Sequence, residues 1–392
     1  MTPRGSSRQA SIDVLRATAI VLMVVVHFVE NLSGWFDGEA GPFEGVHRVW
    51  WLPTGWAAPM FAFLSGVSYR IWLRGQISRG RAPEAISKST VRRGLFLISL
   101  GFAFNVLIWL PEDVFNWDIL TLIGGALLAL EIARRMPDAV ILLAAALVIA
   151  VAPAMREAAG YLEYWTAGYY DYDFTLSDVA LGWLVTGYFP VFPWLAFPLA
   201  GYCLAPRLGY GDEPWPDNRN TLAAAALLVV LTAGLVCGWS LMPASLRGDT
   251  ALIWTMFPAS TAYVLGTLGG TTLALAALHR LLDGQPTRGQ RPDGTHERGS
   301  AYRWPGLIAW ATPLSRFSLS IYLLHHAVHV WPLWIWSLAT SGDATSLWQK
   351  AMPPSASLAL AAAFLVVTAV LCRWADRHRV VTAESLMRGL CD

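Results

Sequence analysis

Long apolar runs recur along the chain, separated by polar segments, and this pattern is its most informative feature. Ten such runs cover roughly residues 10–32, 55–75, 91–111, 117–133, 137–155, 187–206, 221–241, 259–281, 310–338 and 356–375. A helix needs about 20 apolar residues to cross the hydrocarbon core of a bilayer, and most of the runs are near that length. The pattern therefore predicts an all-α polytopic membrane protein with about ten transmembrane helices.

The composition and the distribution of charge agree with a membrane protein and predict its orientation. Only 14% of the residues are charged and 55% are hydrophobic, whereas about a quarter of a soluble protein is charged. With the N-terminus inside, the predicted outer loops hold only four basic residues, which are Arg48, Arg156, Arg247 and Lys350. By the positive-inside rule, both termini are predicted to be cytoplasmic. The net charge of +1 gives no reason to expect a nucleic-acid partner.

We expect one membrane domain over residues 1–392, with the Gly-, Pro- and Arg-rich segment 280–305 as a flexible cytoplasmic loop. The outer segments 33–54 and 156–186 are acidic and aromatic, which suits either a carbohydrate-like acceptor or a merely solvated surface. The inner segment 74–93 is basic. It could contact lipid headgroups or attract a polyanionic cytosolic ligand.

The first apolar run carries a stripe of ionisable residues. Arg16 and His27 differ by eleven positions, about 1100° of helical rotation, so they end roughly 20° apart, and Asp13 lies on the same face. Ionisable groups facing lipid are costly, so this face is predicted to line a polar cavity inside the protein. His27 could act as a general base, as a transient acyl carrier, or only as a hydrogen-bonded packing residue.

The ninth apolar run holds a second polar cluster. Arg316 is followed by Tyr322, His325, His326 and His329. The i,i+4 spacing of His325 and His329 is compatible with a metal site, but no third ligand is evident at matching spacing, so no metal is expected. Arg316 lies nine residues before His325, on the opposite side of a continuous helix. It could extend to the headgroups or bind phosphate.

The chain also carries six short motifs in order. They are Ser11-Ile12-Asp13-Val14-Leu15-Arg16, Ala58-Pro59-Met60-Phe61, Trp117-Asp118-Ile119-Leu120, Phe192-Pro193-Trp194-Leu195, Phe257-Pro258-Ala259-Ser260 and Ser320-Ile321-Tyr322-Leu323-Leu324-His325. Their order and spacing resemble the transmembrane acyltransferase superfamily, and within it bacterial relatives of the heparan-α-glucosaminide N-acetyltransferase catalytic domain. The spacing of Arg16 and His27 also resembles the Arg-x10-His element of the acyltransferase-3 branch.

This resemblance implies an enzyme of the bacterial inner membrane. It would take acetyl-CoA or another acyl-CoA from the cytosol and transfer the acyl group to an amine or hydroxyl of an outer glycan or glycoside. Arg16 would hold the donor and Asp13 would orient Arg16, and Arg316 is a further candidate donor contact. His27 and His325 would be candidate base or acyl-accepting groups. His47 approximately matches the position of the active histidine in the first outer loop of the eukaryotic enzyme.

Two other interpretations remain open from the residues alone. A transporter or flippase would use the intramembrane Asp, Arg and His as a substrate or proton pathway, and a catalytically inactive scaffold would keep only the fold. No internal repeat of the kind common in transporters is evident. The expected partners are the lipid bilayer, the acyl-CoA and the acceptor, and a homodimer is compatible with such a bundle.

Overall fold

The computed structural model describes residues 9–33, 55–109, 113–166, 169–208, 219–238, 254–283 and 304–392. Nearly all of the regular structure in these residues is helical. The helices are α1 (Ala10–Ser33), α2 (Ala57–Ser78), α3 (Pro83–Ile108), α4 (Ile119–Ala133), α5 (Asp138–Ala158), α6 (Leu176–Leu181), α7 (Val191–Trp194), α8 (Ala196–Arg207), α9 (Arg219–Cys237), α10 (Thr261–Leu278), α11 (Pro305–Arg316), α12 (Ser318–Ser341), α13 (Pro354–His378) and α14 (Ala383–Cys391).

Short elements complete the described chain. A 3-10 turn forms at Tyr161–Tyr164, and π-helical turns form at Gly182–Thr186 and His279–Asp283. The strands β1 (Trp165–Thr166) and β2 (Tyr169–Tyr170) make a small antiparallel hairpin in which Trp165 lies opposite Tyr170.

The predicted all-α polytopic membrane fold is confirmed. Among the described residues, seven helical segments are long and apolar enough to cross a membrane, and α11 with α12 makes an eighth if that bent pair is one span. The other two predicted spans are also helices. However, α2 carries Arg70 and Arg74, and α4 is short for a span at 15 residues. The cytoplasmic location of both termini stays a prediction.

The chain forms two compact units. The first consists of Met1–Ala57 with Ala274–Ser385, and the second of Ala58–Leu273 with Leu386–Asp392. The expectation of one membrane domain over the whole chain stays a prediction. Most of the predicted flexible loop 280–305 lies outside the described residues.

Helix α1 is the centre of the first unit, where it packs against α11, α12 and α13. Its apolar side is fully buried at Ile20, Val24 and Phe28. The first backbone N–H groups of α1 donate to Asp283, from Ala10 at 2.8 Å and from Ser11 at 3.2 Å. A carboxylate at this end satisfies N–H groups that lack a partner within the helix and opposes the positive end of the helix dipole.

The ninth predicted span is broken. Helix α11 ends at Arg316 and α12 begins at Ser318, with a bend of 76° between the two axes. Glu384 accepts hydrogen bonds at the start of α12, from the backbone N–H of Leu319 at 2.8 Å and of Ser320 at 3.0 Å. Because backbone N–H groups must be satisfied by the protein where water is scarce, this carboxylate stabilises the interruption.

In the second unit, α2 and α8 cross at two facing glycines. A Cβ atom at Gly66 would lie 2.0 Å from the carbonyl oxygen of Pro198, and one at Gly201 would lie 2.1 Å from that of Phe63. Small residues at such crossings let the backbones of membrane helices approach closely.

We expect Gly66→Ala and Gly201→Ala each to lower the free energy of unfolding by about 3 kcal/mol, because the added methyl group forces two backbones apart. Thermal unfolding of the purified protein in detergent measures the loss. Gly75→Ala, also on α2, is the matched control, since a Cβ there meets nothing within 4 Å. Equal stability of all three variants would contradict the close crossing.

Candidate active site

The polar face of α1 carries the candidate site in the first unit. Asp13, Arg16, His27 and Asn31 follow one another along this helix, and each is linked to the broken span α11–α12. The predicted stripe therefore faces protein, as the cost of ionisable groups in lipid requires.

At the N-terminal end of the face, Asp13 and Arg16 meet the same serine of α11. Ser315 Oγ donates to Asp13 Oδ1 at 2.7 Å, and Arg16 Nη1 donates to Ser315 Oγ at 3.1 Å. Thr312 Oγ1 also donates to Asp13, at 3.3 Å. Asp13 is 3% exposed, so these hydroxyl groups solvate a carboxylate that has left water. Ser315 thus links the carboxylate to the guanidinium.

Further along α1, His27 and His325 are in direct contact. His27 Nδ1 lies 2.8 Å from His325 Nε2. The other nitrogen of His325, Nδ1, faces two backbone carbonyl oxygens of α12, at 2.5 Å from Tyr322 and 3.2 Å from Ile321. Two of the three histidines predicted as catalytic therefore form one pair.

The carbonyl contacts determine where the protons of this pair lie. A carbonyl oxygen only accepts hydrogen bonds, so His325 Nδ1 carries the proton and His325 Nε2 carries the lone pair. His27 Nδ1 must then donate to His325 Nε2, which leaves the lone pair of His27 on Nε2. This atom can accept a proton, because His325 and the carbonyl of Tyr322 hold His27 in the required tautomer.

A second pair of side chains, Asn31 and His329, connects the next turn of α1 to α12. Asn31 Nδ2 lies 2.8 Å from His329 Nε2, and His329 Nδ1 lies 2.5 Å from the carbonyl oxygen of His325. By the same reasoning His329 donates from Nδ1 and accepts from Asn31. Both nitrogens of His329 are thereby engaged.

His326 completes a group of three imidazoles. Its ring centroid lies 4.5 Å from that of His27 and 4.1 Å from that of His325. One ring nitrogen from each of the three lies within 4.8 Å of the other two, a spacing compatible with a metal ion. The sequence pattern missed this set because His27 comes from a different helix.

The remaining predicted residues lie apart from these contacts or outside the described chain. Arg316 forms an ion pair with Asp376 of α13, and both side chains are nearly half exposed. Its predicted position opposite His325 assumed a continuous helix, which the break at Phe317 removes. His47 lies outside the described residues.

Sequence reasoning also missed Ser315 and Thr312, which bind Asp13. The available signal was weak. Their three-residue spacing puts both on one face of α11, and Ser315 directly precedes a predicted site arginine.

In the second unit, segments 161–166 and 169–178 contain packed aromatic rings. Trp165 stacks on Phe257 with ring centroids 5.5 Å apart, and its Nε1 donates to the carbonyl oxygen of Thr186 at 2.9 Å. Burial raises the pKa of Tyr170 to about 12, so its hydroxyl stays protonated at neutral pH. A narrow cavity beside these rings is bordered by Arg156, whose Nη1 donates to the carbonyl oxygen of Ala259 at 2.8 Å.

Comparison with known proteins identifies the family. The family model described as heparan-alpha-glucosaminide N-acetyltransferase, catalytic, matches residues 8–236, more than half of the 392-residue chain. The match includes Asp13, Arg16 and His27 and ends before the histidines of α12. No curated protein matches the chain. The chain therefore belongs to the heparan-alpha-glucosaminide N-acetyltransferase catalytic family, and it is a multi-pass membrane protein of this acetyltransferase family.

Proposed function

We propose that the protein transfers an acetyl group from cytosolic acetyl-CoA to an amine or hydroxyl of an extracytoplasmic glycan or glycoside, in the bacterial inner membrane. The observation that carries the proposal is the oriented pair of His27 and His325, with a lone pair left on His27 Nε2. Family membership supports the acetyl group as the one transferred.

In this mechanism His27 is the general base. Its Nε2 removes a proton from the acceptor amine or hydroxyl as that group attacks the thioester carbonyl. The new C–N or C–O bond forms, the C–S bond breaks, and the leaving thiolate of CoA takes the proton back from His27. His325 Nε2 accepts a hydrogen bond from His27 throughout and stabilises the charged imidazolium.

Arg16 is proposed to hold the acyl donor. Asp13 and Ser315 fix the guanidinium through the hydrogen bonds at 2.7 and 3.1 Å, so the side chain is positioned before the donor binds. Arg316 is a second donor contact in this proposal. Its ion pair with Asp376 is partly exposed and therefore contributes little free energy. A phosphate group of the donor could replace the carboxylate of Asp376 as the partner of Arg316.

As to the class of acceptor, the side chains of segment 161–178 in the second unit favour a carbohydrate. Tyr169 and Phe174 are 42% and 54% exposed there, which leaves ring faces on which a sugar can stack. The neighbouring Asp171 and Asp173 can accept hydrogen bonds from sugar hydroxyls. Together these side chains suit a carbohydrate better than an apolar acceptor.

The broken span favours transport as the second candidate function. Many transporters build their substrate sites from discontinuous helices, and the 76° bend between α11 and α12 is such a break. A transporter would move its substrate without consuming acetyl-CoA. Measuring whether acetyl-CoA binds and is consumed therefore distinguishes the two functions.

Acetyl-CoA is expected to stabilise the purified protein in detergent, by about 2.7 kcal/mol at 100 times its dissociation constant. Thermal unfolding with acetyl-CoA, CoA and ATP at equal concentrations measures this effect, and ATP controls for polyanion binding. Stabilisation by ATP equal to that by acetyl-CoA would contradict a specific donor site and favour transport.

His27→Ala is expected to lower kcat for acetyl transfer by about 10²–10⁴-fold, because the acceptor loses its general base. Release of CoA in the presence of amino sugars measures the rate. His378→Ala is the matched control, since His378 is exposed at the end of α13. Full activity of His27→Ala would exclude His27 as the base, and parallel alanine variants of His325 and His47 would then locate the reacting group.

Ser315→Ala is expected to raise KM for acetyl-CoA about tenfold, because Arg16 loses a charged hydrogen bond worth about 1.5 kcal/mol that positions it for the donor. Steady-state kinetics at saturating acceptor measure it. Ser337→Ala is the control, since this buried hydroxyl of α12 has no hydrogen-bond partner among the described residues. An unchanged KM for Ser315→Ala would argue against a donor role for this contact.

A further inference from the structure

We propose that His27, His325 and His326 form a binding site for a divalent transition metal ion of the zinc type, and that the bound ion prevents acetyl transfer. The existence of the site is inferred from the positions of the three imidazoles. The inhibition rests on the proposed function of His27 as the general base.

The three imidazoles have the chemistry and spacing of a metal site. One nitrogen from each lies within 4.8 Å of the other two, and tetrahedral zinc with bonds of about 2.05 Å requires about 3.3 Å between ligand nitrogens. His27 Nδ1 and His325 Nε2 are 2.8 Å apart, so small ring rotations reach the required separation. Three neutral nitrogens suit zinc, copper or nickel, whereas magnesium and calcium prefer oxygen ligands.

The surroundings orient one ligand and exclude a fourth histidine. The carbonyl oxygen of Tyr322 accepts a hydrogen bond from His325 Nδ1, which directs the lone pair of Nε2 toward the other two rings. His329 is not available, because its Nε2 accepts from Asn31 and its Nδ1 donates to the carbonyl of His325. Three protein ligands leave a fourth position for water, as in open zinc sites.

The three side chains differ in burial. His325 and His326 are buried at 0% and 3% exposure, whereas His27 has an intermediate exposure. His27 is therefore the most accessible of the three ligands.

Metal binding and proton transfer compete for the same nitrogen atoms. If the ion binds His27 at Nε2, it takes the lone pair that would receive the acceptor's proton. If it binds at Nδ1, the proton of the neutral ring must move to Nε2, and the lone pair is again lost. Either mode also breaks the hydrogen bond between His27 and His325. A bound ion is therefore inhibitory.

The test measures metal binding and transfer separately. The full chain is purified in detergent with a tag that contains no histidine, stripped with a chelator, and titrated with Co²⁺, whose visible absorption reports tetrahedral coordination. The wild type is expected to bind one Co²⁺ per chain, displaced by Zn²⁺. His326→Ala is expected to weaken the affinity more than about 100-fold, since even residues behind the ligands contribute 10–100-fold. His326→Leu is a second variant that fills the space, and His378→Ala is the control.

Acetyl transfer is then assayed with and without one equivalent of Zn²⁺. The wild type and His378→Ala are expected to be inhibited, and the two His326 variants are expected to keep their metal-free rate. Absence of stoichiometric Co²⁺ binding to the wild type, or equal binding by the His326 variants, would overturn the site. Stoichiometric binding by a protein without transferase activity would support the site and overturn the proposed function.

Discussion

The contact of the polar face of α1 with the broken span α11–α12 is the constraint on which the first unit depends. Asp13, Arg16, His27 and Asn31 place ionisable and polar groups in a helix that must cross a membrane, where unsatisfied groups are costly. Each finds its partner on α11 or α12. Two helix directions, separated by the 76° bend, supply hydroxyl groups at one end of α1 and imidazoles at the other. A straight span would present the same helix direction to both ends of α1.

The sequence was enough to predict the helices and the face of α1, because apolar length and helical period are local properties. It was also enough to place His27 and His325 among the reactive candidates. It could not predict the break, since the caps of α12 include Glu384, 64 residues beyond Ser320. Nor could it predict that His27 joins His325 and His326, because a spacing pattern compares residues of one helix, whereas this group needs two. The expectation of no metal stays a prediction; it considered ligand spacing on α12 alone, whereas the group of three includes His27 of α1.

The histidine group illustrates how hydrogen bonds decide the chemistry of identical side chains. His27, His325 and His329 are all imidazoles in one packed layer, yet their backbone and side-chain partners give them different roles. His329 has both nitrogens occupied and only holds the helices together. His325 is fixed by the carbonyl of Tyr322 and faces His27, and the hydrogen bond of His27 to His325 leaves the lone pair of His27 on Nε2. A backbone shift at Tyr322 or Ile321 that moved a carbonyl would therefore change which nitrogens of the pair carry protons without changing either imidazole.

The distance in sequence between these partners has a consequence for biosynthesis. Arg16 and Ser315 are 299 residues apart, and at about 5–20 residues per second a ribosome needs roughly 15–60 s to deliver the second after the first. During that time α1 is already made, while the partners that α11 and α12 supply to its carboxylate, guanidinium and imidazole are not yet present. The contacts of the polar face of α1 with the broken span can therefore form only late in synthesis, after most of the chain has been made.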